Sequence, residues 1–141
     1  MSVYAKGGSG AGEGGKNTSR RNALKNIKQD LGVNANESPV SQDMVMLRNA
    51  KGDPIVENGK IIYSREMTYD VRGKDIKNEH NEIIDYVVVQ EHSYGHRYEN
   101  GVGNQSSHFN VRPITNTHNG KVSGMKGHYY FKSKYTWEWK E

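Results

Sequence analysis

One run constrains the fold of this chain more than any other: "EIIDYVVVQEH", from Glu82 to His92, which sets Ile83, Ile84, Tyr86, Val87, Val88 and Val89 almost side by side. β-Branched and aromatic residues fit the pleated surface of a strand, and a strand apolar on both faces belongs in the middle of a sheet. The rest of the chain is poor in such material. Only 33% of its 141 residues are hydrophobic and 16 are glycine, so one thin, turn-rich domain around a single small core is expected.

The flanks indicate what that strand pairs with. Residues 1–17 are mostly Gly, Ser, Lys and Asn with almost nothing to bury, which is linker composition, and the folded domain is expected over 18–141. In "NTSRRNALKNIKQDLGV" the apolar residues Ala23, Leu24, Ile27 and Leu31 fall at helical spacing; Thr18 or Ser19 can cap the start, and Gly32 stands where a helix would end. After "NESPVSQ", with its Pro39, the period changes to two: Met44, Met46, Ile61 and Tyr63 alternate, broken by the turn signals "KGDP" and "ENGK". Antiparallel hairpins follow from that pattern. Beyond the central strand come the loop "YENGVGNQ", a short extended "HFNVRP" ended by Pro113, and a polar loop around "NTHNGKVSGMKG". The tail "HYYFKSKYTWEWKE" alternates as a final strand would, and no internal repeat is present. The fold class expected is α+β, an N-terminal helix with an antiparallel sheet.

The chain has no cysteine, which excludes disulfides and thiolate zinc sites and leaves histidine, carboxylate and amide side chains as the only metal ligands. No apolar run approaches the roughly 18 residues of a membrane span, and "MSVYAKGGSGAGEGG" lacks the apolar core of a signal peptide, so a soluble chain without its own address is expected. The net charge of +4 is unevenly spread: residues 1–30 hold six bases against two acids, 37–91 seven against eleven, and 92–136 six against one. Such basic ends attract phosphates, although an ordinary solvated surface carries the same pattern.

The candidate chemistry lies in "QEHSYGHRYENGVGNQSSHFNVRP", which holds His92, His96 and His108, half of the six histidines, with Glu91 directly before the first. Imidazole can ligate a metal, take a proton from water or donate to a phosphate oxygen near neutral pH. His80 and His118 stand in polar loops and read as ordinary surface residues. A strand end and a hairpin return can bring His92, His96 and His108 to one rim, with Glu91 beside them. The spacing of His92 and His96 suits a helical metal pair, but Gly95 and the β-rich run before it argue for a turn. "GVGNQ" lacks the lysine and the following helix of a phosphate loop, so its glycines serve the chain reversal. Asn110 and Arg112 read as surface polarity on their own, yet the bidentate fork of Arg112 suits a phosphate.

The order "EH", "GH", a glycine-rich turn and "HFNVRP" resembles the nuclease toxins of the HNH/endonuclease VII superfamily, in particular the group marked by one glutamate and three histidines. "SRRNALKNIKQDLGV" followed by "SPVSQ" resembles the segment that precedes such cores, and "GKVSGMKGHYYF" resembles their closing segment, so the likeness runs over about residues 18–132. It implies a ββα-metal core in which a hairpin and a helix grip one divalent ion. His92 would be the general base, Glu91, His96 and His108 metal ligands or phosphate contacts, Asn110 the group orienting His92 or the metal-bound water, and Arg112 the holder of the scissile phosphate. One segment departs from the pattern: "ITNTHNGKVSGMKGH" has no amphipathic helical spacing, which leaves the third arm of the finger, and the division of roles among His96, His108 and His128, open.

The resemblance therefore implies a metal-dependent endonuclease toxin acting on nucleic acid, DNA ahead of RNA, with Mg²⁺ or Mn²⁺ expected from hard oxygen ligands and Zn²⁺ or Ni²⁺ from a three-imidazole site. It further implies secretion within a larger toxin, action in the target-cell cytoplasm, a cognate immunity protein as partner, and a monomer with no membrane association. Two other readings fit the residues: a metal-independent ribonuclease using two histidines as acid and base, and a non-catalytic module whose histidines hold a structural ion.

Overall fold

The computed structural model describes residues 18–93 and 107–132. Helix α1 spans Arg20–Leu31, and seven strands follow: β1 Ser41–Met46, β2 Val56–Glu57, β3 Lys60–Ile61, β4 Tyr63–Asp70, β5 Tyr86–His92, β6 His108–Pro113 and β7 Tyr129–Tyr130. Five of them form one sheet in the order β1-β4-β5-β6-β7, every pair antiparallel, and β2 and β3 make a separate two-stranded hairpin. The chain is α+β, as its patterning requires.

Helix α1 forms where the apolar spacing places it. The Ser19 hydroxyl accepts the Asn22 N–H at 3.0 Å, satisfying one of the donors that a helix start leaves open. Gly32 ends the helix at φ 77, a left-handed conformation that glycine adopts without a Cβ clash, and the Gly32 and Val33 N–H groups return to the Gln29 and Lys28 carbonyls. Ala23, Ile27 and Leu31 line the buried stripe and join Met67, Tyr69, Val87, Val89, Phe109, Val111, Val122, Tyr129 and Phe131 in one core. Full burial of a side chain such as Ile27 contributes roughly 1.5–3 kcal/mol.

The run from Glu82 supplies β5, the middle strand, with Val87, Val88 and Val89 all buried. The "ENGK" signal becomes the β2–β3 turn, where Asn58 and Gly59 both take positive φ, 53 and 78, the conformation of a tight two-residue hairpin turn. After β6 the chain makes successive turns instead of a helix, so α1 is the single helix among the described residues. This segment still packs closely: a Cβ on Gly120 would lie 2.5 Å from the Asn116 carbonyl oxygen, an approach only glycine permits. Of the tail strand the structure describes Tyr129–Tyr130, and residues 133–141 lie outside the described residues.

Candidate active site

Strand pairing assembles the site. In the β5–β6 register His92 stands opposite His108, Gln90 opposite Asn110 and Val88 opposite Arg112. Cross-strand partners share a face and alternate residues share a face, so His92, Gln90, His108, Asn110 and Arg112 form one patch. Glu91, Val89, Phe109 and Val111 point the other way, towards α1 and the core. His108 is 0% exposed and Asn110 4%, an unusual depth for a polar pair and one that demands hydrogen-bond partners.

The partners are histidines. His92 Nδ1 lies 3.3 Å from His108 Nε2 and 3.4 Å from Asn110 Nδ2, and His128 Nδ1 lies 2.8 Å from Asn110 Oδ1. The His108 ring is 5.1 Å from that of His92 and 4.4 Å from that of His128, centroid to centroid. Burial pushes the His128 imidazole below its ordinary value, and the positive charge of Arg112 pushes in the same direction. A neutral His128 that bonds Asn110 Oδ1 carries its proton on Nδ1. Asn110 then donates to His92 Nδ1, leaving the His92 proton on Nε2. An amide turned by 180° has the same shape and reverses the chain of bonds: His92 Nδ1–H donates to the Asn110 oxygen, and the His92 lone pair moves to Nε2. Only the second arrangement makes Nε2 of His92 a base. Asn110 thus couples the two imidazoles, whichever way its amide lies.

Glu91, expected beside the histidines, has its carboxylate on the helix side of the sheet. Arg20 grips it with two hydrogen bonds, Nε to Oε2 at 2.7 Å and Nη2 to Oε1 at 2.6 Å; the Ser93 hydroxyl donates to Oε2 at 2.6 Å, and Arg65 Nε stands 4.0 Å away. Burial alone would raise the Glu91 carboxyl, but the hydrogen bonds from Arg20 and Ser93 and the charges of Arg20 and Arg65 outweigh it and hold the group below its usual range. The Ser107 hydroxyl donates to the Ser93 carbonyl, so this clasp ties α1 to the strand ends that carry His92 and His108.

Arg112 follows Asn110 along β6; its Nη1 donates to the Gly120 carbonyl at 2.9 Å, while its buried Nε has no hydrogen-bond partner among the described residues. His96 lies outside the described residues. His80 is 72% exposed beside Glu79, and His118 is exposed, as expected of loop histidines. Gln90 escapes the sequence reading, and His128 is named there without a settled role. Gln90 is buried and donates to both Glu66 Oε2 and the Thr117 carbonyl at 2.9 Å, which ties the loop after β6 onto the polar face. His128 enters the network from the position directly before the short β7, and the residue-level signal for it is its place in "GHYYF", ahead of an alternating strand.

A divalent ion needs several donors aimed at one point. Among the described residues no three His, Asp or Glu side chains converge in that way. Both Glu91 oxygens are bound by Arg20, and the nearest imidazole nitrogens of His92 and His108 face each other. The described side chains do not by themselves fit a bound ion.

Comparison with curated proteins and with solved structures returns no match. A family model described as HNH/Endo VII superfamily nuclease toxins matches residues 55–131, which is more than half of the chain and contains the whole histidine patch, while α1 and β1 precede it. With this match over β4 to β7, the chain belongs to the HNH/Endo VII superfamily nuclease toxins.

Proposed function

We propose that the chain is the endonuclease domain of a bacterial toxin, that it cleaves phosphodiester bonds in the DNA of competitor cells, and that His92 is its general base. The observation that carries this reading is the His92–His108–Asn110–His128 network on one sheet face, within the segment matched by the nuclease family. With the Asn110 oxygen accepting from His92 Nδ1–H, Nε2 of His92 takes the proton of an attacking water as the new P–O bond forms and the bond to the sugar oxygen breaks. A positioned base of this kind contributes roughly 10²–10⁴-fold. Arg112, on the same face, supplies positive charge to the scissile phosphate.

The resemblance implies a divalent ion, which if bound would neutralise charge on the phosphate and the leaving oxygen. Metal dependence, with Mg²⁺ or Mn²⁺ expected ahead of Zn²⁺ or Ni²⁺, is therefore the first property to test; Glu91, His96 and His108 are the ligands that the resemblance implies, and of these Glu91, bound by Arg20 on the face of the sheet opposite His108, does not fit a site shared with that histidine. One observation favours a second reading, a metal-independent ribonuclease: two imidazoles, His92 and His108, stand together on one face, the residue type that serves as base on a 2′-hydroxyl and as acid on the leaving oxygen, and their facing nitrogens, 3.3 Å apart, must separate to admit the phosphate between them. Incubating the protein with plasmid DNA and with RNA, in Mg²⁺ and in chelator, separates the two. DNA nicking abolished by chelator supports the first; RNA cleavage that survives chelator and leaves cyclic phosphate ends replaces it with the second. A toxin of either kind is delivered from a producer as part of a larger protein, acts in the target cytoplasm, and requires an immunity partner, for which an acidic surface would complement the basic regions of this chain.

A further inference from the structure

His92 and His108 are the outermost pair of the β5–β6 ladder among the described residues. The end of a ladder has a neighbouring rung on one side only, and it frays unless something else holds it. Directly inside stands the pair Glu91 and Phe109, whose side chains point to the helix face, beneath the imidazoles. Arg20 holds both. Its guanidinium forks onto Glu91 at 2.7 and 2.6 Å, and its centre lies 5.6 Å from the middle of the Phe109 ring. One side chain of α1 therefore touches the residue before His92 on β5 and the residue after His108 on β6.

This grip belongs to a closed circuit of contacts. The Ser93 hydroxyl donates to Glu91 Oε2 at 2.6 Å, and the Ser93 carbonyl in turn accepts from the Ser107 hydroxyl. The Ser107 carbonyl accepts the Phe131 N–H at 3.0 Å, and the next residue, Lys132, donates its N–H at 2.7 Å to the carbonyl of Thr18, two residues before Arg20. The histidine pair is thus flanked by the circuit on both sides, by Ser93 and Ser107 outside and by Glu91 and Phe109 inside. Nothing here offers Glu91 to an ion shared with the histidines: its two oxygens accept three hydrogen bonds, and strand alternation puts them across the sheet from the His108 ring. We propose that Arg20 and Glu91 are positioning residues for phosphodiester cleavage, which set the His92 and His108 rings from the opposite face of the sheet, and that Glu91 acts in this way and not as a metal ligand. This rests on the nuclease reading and adds to it α1, a part of the chain that the family match does not reach. A catalytic group displaced by about 1 Å loses rate on the order of 10²-fold, so a clasp outside the reacting groups can govern the rate.

The test measures cleavage of a labelled DNA strand by the full chain and by Arg20→Ala, Glu91→Gln, R20A/E91Q and Ser93→Ala, each at a temperature where circular dichroism shows it folded. In Arg20→Ala and Glu91→Gln kcat falls about 10–100-fold with KM within about twofold, and the double variant is no slower than the slower single one, because both changes remove the same grip. Ser93→Ala keeps the ion pair, so it serves even if Arg20→Ala does not fold, and its kcat falls by roughly tenfold. Ile27→Ala weakens the same helix without touching the circuit and keeps the wild-type kcat per folded molecule, which separates positioning from a loss of stability. An unchanged kcat in Arg20→Ala and Ser93→Ala, or a loss in Ile27→Ala as large as in Arg20→Ala, overturns the proposal. A Glu91→Gln loss that raised Mg²⁺ or Mn²⁺ restores also overturns it, since that is the mark of a ligand. Nitrogen–proton NMR of the imidazoles reads the positioning without turnover: the His92 and His108 signals shift in Arg20→Ala and Ser93→Ala, while those of the exposed His80 and His118 stay in place. Such shifts, found with a wild type that cleaves no nucleic acid, sink the nuclease reading and leave the clasp standing; unshifted His92 and His108 signals with an active wild type do the reverse.

Discussion

Removing the guanidinium that holds Glu91 gives the most informative perturbation of the fold. Arg20→Ala leaves a carboxylate whose side chain is only 10% exposed and strips it of two short, charge-assisted hydrogen bonds, retaining the Ser93 hydroxyl and the more distant Arg65. Breaking a fully buried pair from one side costs about 3–5 kcal/mol. The Arg20 side chain is 39% exposed, so solvent screening and the remaining partners reduce the expected loss to about 2 kcal/mol. At roughly 4 °C per kcal/mol this lowers the melting temperature by about 8 °C. The pH dependence has a definite sign. Glu91 has a folded-state value held below the ordinary 4.5, so the stability it contributes is present above that value and is lost as pH falls through the folded one. Urea denaturation of wild type and Arg20→Ala should therefore differ most near neutral pH and converge in acid. In a Glu91→Gln background the Arg20→Ala change should cost much less, a coupling of at least about 1 kcal/mol. Equal costs in the two backgrounds, or a loss under about 0.5 kcal/mol in the wild type, would refute the claim that this pair clasps the helix to the strand ends.

Other consequences follow from the same geometry. Asn110→Ala removes the group that fixes the His92 tautomer and should lower the cleavage rate about 10²-fold with little change in KM, read from steady-state kinetics. His128 is held below its ordinary 6.5 by burial and by Arg112, so the folded state resists its protonation; thermal stability should fall as pH drops below that value, and His128→Gln should flatten that part of the curve. Ile27→Ala, at a position with 0% exposure in the helix–sheet core, should cost about 2–4 kcal/mol in urea denaturation without altering the pH–rate profile of the surviving folded protein.

Much of the scaffold could be read from the sequence because it rests on local rules. The spacing of Ala23, Ile27 and Leu31, the Ser19 cap and the Gly32 stop define α1, and the valines before Gln90 define the middle strand. The pairing of His92 with His108 was foreseeable as well, since a short return after a glycine-rich loop sets strand ends opposite each other. The side taken by Glu91 was not seen. Placing Glu91 and His92 together at the end of the strand let both residues face one rim, whereas strand alternation through His92 sends neighbours to opposite faces. The position of His128 depends on the turns between Pro113 and Tyr129, whose course is set by side-chain hydrogen bonds that Asn78 and Gln90 donate, by the His118 N–H that the Asn116 side chain accepts, and by the side-chain-free packing of Gly120. Periodicity carries no information about such a segment. The family match begins at residue 55, so the Arg20 partner of Glu91 lies in a part of the chain that the match does not reach.

The central claim is that the histidine patch performs phosphodiester cleavage, and the most direct measurement is the single-turnover cleavage rate of a labelled DNA strand by the wild type and by His92→Ala, each verified as folded. The account predicts cleavage by the wild type and a loss of roughly 10²–10⁴-fold on removing the imidazole. Equal rates for the two proteins, or no cleavage of DNA or RNA by the wild type with or without divalent metal, would contradict it.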